Sequence, residues 1–405
     1  MKDNVGSSLS VRECTSCGIC ASICGTGAIH IDCDKEGFYR PFVDNSKCVE
    51  CGLCKKSCYK FDKDFKVEDK VLVCNAAWNK DEKQLAKSSS GGVSRLLMEE
   101  CIARGYKVFG CAYDLVTNKA VSVVASTNEE LEKFYGSKYF QSYTVDGFKQ
   151  VLEDKSEQKY AIFGTPCQIY AFSQTNRYKR SSARYLLVDI FCHGCPSMNL
   201  WNAYRKRQEK RANVKVFDKI AFRSKTYGWH EYSIDFCTRA ERKSSDKVND
   251  PFFDLFFGAD VMNKACYDCL ARSSMAYTDI RIGDFWGPKY EMNTKGVSAV
   301  IVRSPLGEDF VSSIQNRMVI EPADFNEIIS AQSYGKVVKY DKQRRNYLLN
   351  SITDDSDIYQ ISVRYRSMLP LVRRIKLTLK SLVKRLPRGF YFSIRKVLHS
   401  INHAG

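Results

Sequence analysis

The chain has 405 residues, 44% hydrophobic and 27% charged, with a formal net charge of +17 and 18 cysteines. That length admits two or three domains and more than one buried core. No apolar run reaches membrane-spanning length, and the opening MKDNVGSSLSVR lacks the apolar core of a secretory signal. So many thiols in an unexported chain argue against a disulfide framework and for metal ligation in a reducing, cytoplasmic compartment.

The first element in chain order is a cysteine run. Cys14, Cys17, Cys20 and Cys24 follow C-x2-C-x2-C-x3-C, and Cys48, Cys51, Cys54 and Cys58 repeat it. The doubled run, within residues 9–62, is that of a bacterial two-cluster iron–sulfur module. Three thiolates on one looping segment cap three irons of a [4Fe–4S] cube, while the fourth lies too far along and reaches the other cube. The spacing therefore assigns Cys14, Cys17, Cys20 and Cys58 to one cluster, and Cys48, Cys51, Cys54 and Cys24 to the second. Zinc prefers two separated C-x2-C pairs, a plan that the two triplets overfill. Gly18 and Gly52 suit close approach of the backbone to inorganic sulfide. Gly25 and Tyr59 replace the proline usual after the fourth cysteine, and Cys33 has no slot.

After the charged connector KFDKDFKVEDK the pattern changes. VLVCNAAW (71–78), KVFGCAYD (107–114) and AVSVVAS (120–126) read as strands, with a helical pattern from Gly92 to Arg104. YAIFG (160–164) and YLLVDIFC (185–192) suit buried strands, followed by the helix-periodic PSMNLWNAYRKRQEK. YSIDFC (232–237), DIRIGDFWG (279–287) and SAVIVRS (298–304) continue the strand content. This alternation predicts an α/β body from Val71 onward. At its first strand-to-helix junction, SSSGGVSRLL (88–97) offers small residues for an anion at a helix N-terminus. The same stretch serves equally as an N-cap with a flexible turn. Cys167, Cys192, Cys266 and Cys269 stand at element ends and are compatible with one more four-thiolate site, for zinc as well as for a cluster.

Seven motifs then occur in an order that identifies a resemblance: SSSGGVSRLL, GSKYFQS (136–142), FGTPCQI, DIFCHGCPS, FRSKTYGWH (222–230), CYDC and IGDFWG (282–287). Over about residues 10–335 the chain resembles the coenzyme F420 hydrogenase/dehydrogenase β-subunit family, whose relatives include formate dehydrogenase β subunits and plant hydroxymethyl-chlorophyll reductase. The resemblance implies a flavoprotein with FAD close to a [4Fe–4S] cluster, its body divided into a flavin-binding N-terminal part, residues 71–155, and a C-terminal part with the third cluster, residues 156–335. Carried onto this chain, Ser90, Gly91 and Gly92 would meet the FAD phosphates, with Lys138 as cationic partner. Cys167, Cys192, Cys266 and Cys269 would hold a third cluster, although Cys195 leaves open which cysteine of CHGC is the ligand. His230 and His193 fall inside motifs and are candidate proton donors, with a hydrogen-bonded structural role as the alternative. Asp284 reads as a turn residue.

The last element is basic. Residues 361–405 hold eleven Lys and Arg and no Asp or Glu. Between Pro370 and Pro387, Val372, Ile375, Leu379, Leu382, Val383 and Leu386 share one helical face, with basic residues around the rest. This favours an amphipathic helix on an anionic surface at the inner face of a membrane. The alternatives are a helix packed on the body or docked to a partner. No nucleic-acid recognition module accompanies the tail, so no nucleic acid partner is expected.

The expected protein is thus a multidomain α+β/α/β chain: a bacterial-type ferredoxin module, an α/β flavin-binding body and a basic helical tail. The expected function is an iron–sulfur flavin-dependent oxidoreductase joining a redox partner (a ferredoxin, a dehydrogenase subunit or a deazaflavin) to an organic substrate. The alternatives are a non-catalytic electron-transfer subunit of a larger dehydrogenase or hydrogenase complex, and a metal-stabilised scaffold without flavin.

Overall fold

Residues 3–8, 13–68 and 70–386 are described by a computed structural model. The second basic stretch of the tail, residues 388–401, lies outside them. The cysteine-rich region is built on a hairpin of β1 (Ile29–Cys33) and β2 (Tyr39–Val43), paired antiparallel. It is seated on the rest of the chain by polar contacts. Thr144 Oγ1 donates to the Cys17 carbonyl at 2.7 Å, Asn263 Nδ2 to that of Cys14 at 3.1 Å, and Met198 N to that of Gly37 at 2.8 Å.

The body is a mixed nine-stranded sheet made from β3 (Val73–Asn79), β4 (Tyr106–Asp114), β5 (Lys119–Ala125), β6 (Ser142–Tyr143), β7 (Lys159–Gly164), β8 (Tyr185–Ile190), β12 (Ile280–Asp284), β13 (Ser298–Val302) and β14 (Met318–Pro322). A smaller antiparallel sheet holds β9 (Lys219–Ser224), β10 (Ser233–Cys237) and β11 (Arg242–Ser244). In the large sheet β12, β8, β7 and β4 run parallel, while β13, β3 and β14 on one side and β5 on the other pair antiparallel.

The strand period of two decides the layering. Val108, Ala161, Leu186 and Val188 cluster with Leu96 and Leu97 of the helix Val93–Ala103 and Phe310 of the helix Pro305–Ser313. Their neighbours Phe109, Tyr160, Ile162 and Leu187 cluster with Phe148 of Val145–Glu153 and Phe172 of Pro166–Ser173. Helices thus cover both faces, as central strands rich in apolar residues require. A third core, centred on Trp201, Tyr204, Phe222, Phe236 and Phe252, lies between the helix Met198–Ala212, the small sheet and the helix Pro251–Gly258.

Two differences from the sequence reading have physical causes. β8 ends at Ile190; Phe191 N still donates to the Ile282 carbonyl at 2.9 Å, and Cys192 lies beyond the ladder. PFFDLFFG gives no amphipathic signal, yet it forms a helix: Asp250 caps it by accepting from Phe252 N and Phe253 N, and Phe252, Phe253, Leu255 and Phe256 are all buried.

Candidate functional site

The two cysteine triplets trace the same backbone path. Ser16 and Glu50 have φ of 61° and 55°, and Gly18 and Gly52 have φ of 80° and 70°. A four-residue helix follows each glycine, Ile19–Ser22 and Leu53–Lys56. Left-handed turns on either side of the second cysteine swing all three thiols to one side, which glycine permits at no steric cost. Burial raises the Cys17 thiol pKa, reinforced by Cys58, Cys167 and Cys20. Burial likewise raises Cys20, with Cys14, Cys58 and Cys54 beside it. Cys54 is raised by burial, with Cys51 and Cys24 among its neighbours, and Cys48 accepts from Asn4 Nδ2 at 3.7 Å. Cys17 thus lies within electrostatic range of Cys58 and Cys20, Cys20 of Cys14, Cys58 and Cys54, and Cys54 of Cys51 and Cys24. Cys33 is exposed at the hairpin.

A third group assembles from distant segments. Cys167 sits in the first turn of the helix Pro166–Ser173, whose Thr165 makes a capping box with Gln168. Burial pushes the Cys167 thiol up, with Cys269, Cys192 and Cys266 as neighbours. The Cys192 thiol is pushed up to about 12 by burial and by Cys266 and Cys269. Cys195 is hydrogen-bonded to Cys266 and also lies near Cys192 and Cys167, so five thiols converge. Buried Arg272 holds the surrounding loops, donating to the carbonyls of Cys266 at 3.0 Å, His193 at 3.2 Å and Lys336 at 2.6 Å. Arg281 of β12 donates from Nε to Asp189 of β8 at 2.7 Å and from Nη2 to the Ser274 carbonyl at 2.8 Å, tying the CYDC loop to the strand that delivers Cys192. A side chain at Gly194 would come within 2.5 Å of Met262 Sδ.

This group lies within electrostatic range of the first. Cys167 is a neighbour of Cys17, and buried Tyr59 has Cys269, Cys167 and Cys17 around it. Among the described residues no three His, Cys, Asp or Glu side chains are close enough to hold one metal ion. Ligands of a single zinc share a centre about 2.3 Å away, whereas thiolates on different irons of a cube stand further apart. The donor set, thiols alone with left-handed turns beside them, fits iron–sulfur clusters.

Cys192 and Cys195 line a cavity of about 620 Å³, within the range of small-molecule and cofactor sites. At its other side lie Ser88, Ser89, Ser90 and Gly92, ahead of the helix Val93–Ala103. Gly91 is not part of the wall. Its N–H donates to Ser298 Oγ at 3.0 Å, and a Cβ there would stand 2.3 Å from the Ala77 carbonyl, so this glycine serves strand packing. Lys138 lines the cavity, but its ammonium donates to the carbonyls of Cys111 at 2.9 Å and Tyr135 at 3.0 Å, and at 3.3 Å to those of Lys133 and Phe134; as placed it holds its own loop. Burial lowers its pKa to about 8.

Arg95, which the sequence reading passed over although it lies within SSSGGVSRLL, lines the same wall and pairs with Glu99 at 2.6 Å and Glu132 at 3.5 Å. Lys225 of FRSKTYGWH, also missed, supports the serine loop by donating to the carbonyls of Leu85 and Ser90, each at 2.7 Å.

The two candidate histidines separate. His193 lines the cavity; its Nδ1 meets Ser333 Oγ at 2.8 Å, and its buried Nε2 has no hydrogen-bond partner among the described residues. Burial, aided by the Arg272 cation, lowers its pKa. His230 does not line this cavity. It packs 4.7 Å from Trp229, and its Nε2 faces the Tyr290 carbonyl at 3.2 Å. Asp284 accepts from Trp229 Nε1 at 2.7 Å at the end of β12.

The tail helix Leu371–Arg385 turns its predicted apolar face mainly outward: Val372 is 66% exposed, Ile375 50%, Leu379 55% and Leu382 54%. It rests on the body through half-buried Leu377 and Val383 and an ion pair of Lys384 with Glu231 at 2.6 Å. Among the described residues no helix is long and apolar enough to cross a membrane.

Part of the chain matches a family of oxidoreductase subunits. Residues 157–328 match the family described as the C terminus of the coenzyme F420 hydrogenase/dehydrogenase beta subunit. It is similar to the F subunit of F(420)H(2) dehydrogenase of Methanosarcina mazei, 22% identical over 76% of this chain and 84% of the relative. It is also similar to the beta subunit of coenzyme F420 hydrogenase of Methanococcus voltae, 22% identical over 56% of this chain and 74% of the relative. Among solved structures, a chain of the F420-reducing [NiFe] hydrogenase complex from Methanosarcina barkeri aligns with a TM-score of 0.44 at 19% identity, covering 76% of this chain and 97% of the other.

Proposed function

We propose that this chain is an iron–sulfur flavoprotein that passes electrons between an external redox partner and an organic substrate. The observation that carries this reading is one unbroken neighbourhood: Cys17 beside Cys167, Cys167 beside Cys192, and Cys192 on the wall of the 620 Å³ cavity. Cys14, Cys17, Cys20 and Cys58 would hold one [4Fe–4S] cluster, Cys24, Cys48, Cys51 and Cys54 a second, and Cys167, Cys266, Cys269 and Cys192 or Cys195 a third. The serine loop of Ser88–Ser90 and Gly92 would receive FAD phosphates, with Arg95 behind it. When bound, clusters supply single-electron transfer and a flavin supplies the exchange between single electrons and hydride.

The protein's own groups account for the rest. Tyr59, packed between the thiol groups, excludes water from the gap, and low polarity there keeps the neighbouring thiols from competing solvation. His193, whose Nδ1 shares a hydrogen bond with Ser333 Oγ, lines the cavity and would exchange a proton with a substrate oxygen or carbon. His230, held away from the cavity, keeps a packing role. Relatives named as subunits of a dehydrogenase and a hydrogenase favour one second reading, a non-catalytic electron-transfer component within a larger assembly. They also make a deazaflavin the first organic substrate to try.

Anaerobic purification, iron and sulfide counting, and mass spectrometry of the released cofactor test the proposal. Iron for three cubes with released FAD supports it; one cluster or fewer, or no flavin after reconstitution, removes it. Turnover by the purified chain with an artificial donor separates the enzyme from the component that works only with a partner.

A further inference from the structure

Beneath the tail helix lies a second cavity, of about 830 Å³, bounded on its other side by the helix Pro251–Gly258. Phe253, Phe257, Tyr232, Leu369, Leu377 and Val383 give it apolar walls. Arg373, Lys376 and Lys380 also line it, and among the described residues none of the three meets a carboxylate at ion-pair distance.

The carboxylates lining this space are each paired already, within its wall or beside it. Glu231 pairs with Lys384 at 2.6 Å and Asp254 with Arg366. Asp246 accepts from Tyr359 at 2.5 Å, and Asp250 accepts from Tyr204 at 2.6 Å while capping its helix. Burial and the Lys384 cation lower the pKa of Lys380, which the more distant Glu231 and Asp254 carboxylates only partly offset.

Two more observations fix the occupant. The opposite side of the same helix is the exposed stripe of Val372, Ile375 and Leu382, flanked by Arg374 and Arg385, an arrangement that complements an anionic bilayer surface. Leu379 belongs to both, exposed on the stripe and lining the cavity, so the recess opens where the helix meets its surface. At the inner end, Tyr232 and Phe257, with ring centroids 4.8 Å apart, line this cavity and the first one as well, so a two-ring partition separates them.

The geometry points to a binding site for an anionic amphiphile, a single apolar chain with a phosphate or carboxylate head, drawn from the bilayer on which the tail helix rests. The head lies among Arg373, Lys376 and Lys380, and the chain lies along Phe253, Leu377 and Val383 toward the Tyr232–Phe257 partition. The site needs neither bound flavin nor clusters, so its failure and the failure of the electron-transfer reading are read separately.

The test uses the full-length protein as purified. Dodecyl phosphate below its micellar concentration is titrated calorimetrically, with inorganic phosphate and neutral dodecyl maltoside as controls, and flotation is measured with vesicles of equimolar phosphatidylcholine and phosphatidylglycerol. Saturable binding of dodecyl phosphate alone is expected, weakened at least about tenfold in K376Q/K380Q, which removes two charged contacts. Val383→Trp, which fills the recess, should weaken it comparably. I375E/L382E alters the outer stripe only; it should lose flotation and keep dodecyl phosphate binding. Three results overturn the site: binding equal to that of the neutral detergent or of inorganic phosphate; unchanged binding in both K376Q/K380Q and V383W; or wild-type protein that does not float.

Discussion

Cys14, Cys17 and Cys20 reach one point from a single short loop, whereas Cys167, Cys192, Cys266 and Cys269 reach another from the ends of β7 and β8 and from a loop far along the chain. The first group is organised by local backbone: left-handed residues at fixed offsets aim the thiols. The second is organised by the sheet: parallel neighbours β7 and β8 present their C-terminal ends side by side, and the Arg281–Asp189 pair brings the CYDC loop to them. Damage to a local site should stay local, while damage to an assembled site should spread into folding.

The largest effect is expected where the two groups meet. Cys17→Ser should remove one cluster's worth of iron and slow reduction of a bound acceptor by more than the roughly 10–100-fold typical of losing a supporting contact to a metal site. Full iron content with an unchanged rate would falsify the assignment. Within the assembled group, Cys192→Ser and Cys195→Ser compared by iron count should identify the ligand, since only one of them should lose iron.

Next comes the cavity. His193→Gln should lower kcat with an organic substrate by about 100-fold while leaving reduction of a one-electron dye unchanged, as expected for loss of a general acid. Equal losses in both assays would mean that His193 acts on folding.

Gly91→Ala sharpens the comparison from the packing side. Its Cβ would press on the Ala77 carbonyl at 2.3 Å, so urea unfolding should report about 1–3 kcal/mol of destabilisation. Thr144→Val, which removes the hydrogen bond to the Cys17 carbonyl, should cost about 1 kcal/mol. Hydrogen exchange should show that loss in the cysteine-rich region and leave the large sheet unchanged.

The doubled cysteine spacing, the presence of β3, β4, β7 and β13 to within two residues at either end, and the helical period of Leu371–Arg385 were legible in the sequence, because each depends on residues within a turn or two of one another. Three things came only from the tertiary structure: that Gly91 turns inward while Arg95 faces the cavity, that the ammonium of Lys138 is spent on four carbonyls, and that His193 and His230 part company. In each case the deciding atoms belong to segments distant in sequence, and no local pattern encodes which of two neighbouring side chains a remote strand will bury. The tail makes the same division: its amphipathic period was written in the chain, but only packing through Leu377 and Val383 decided that most of the stripe would face outward and that a cavity would open behind it.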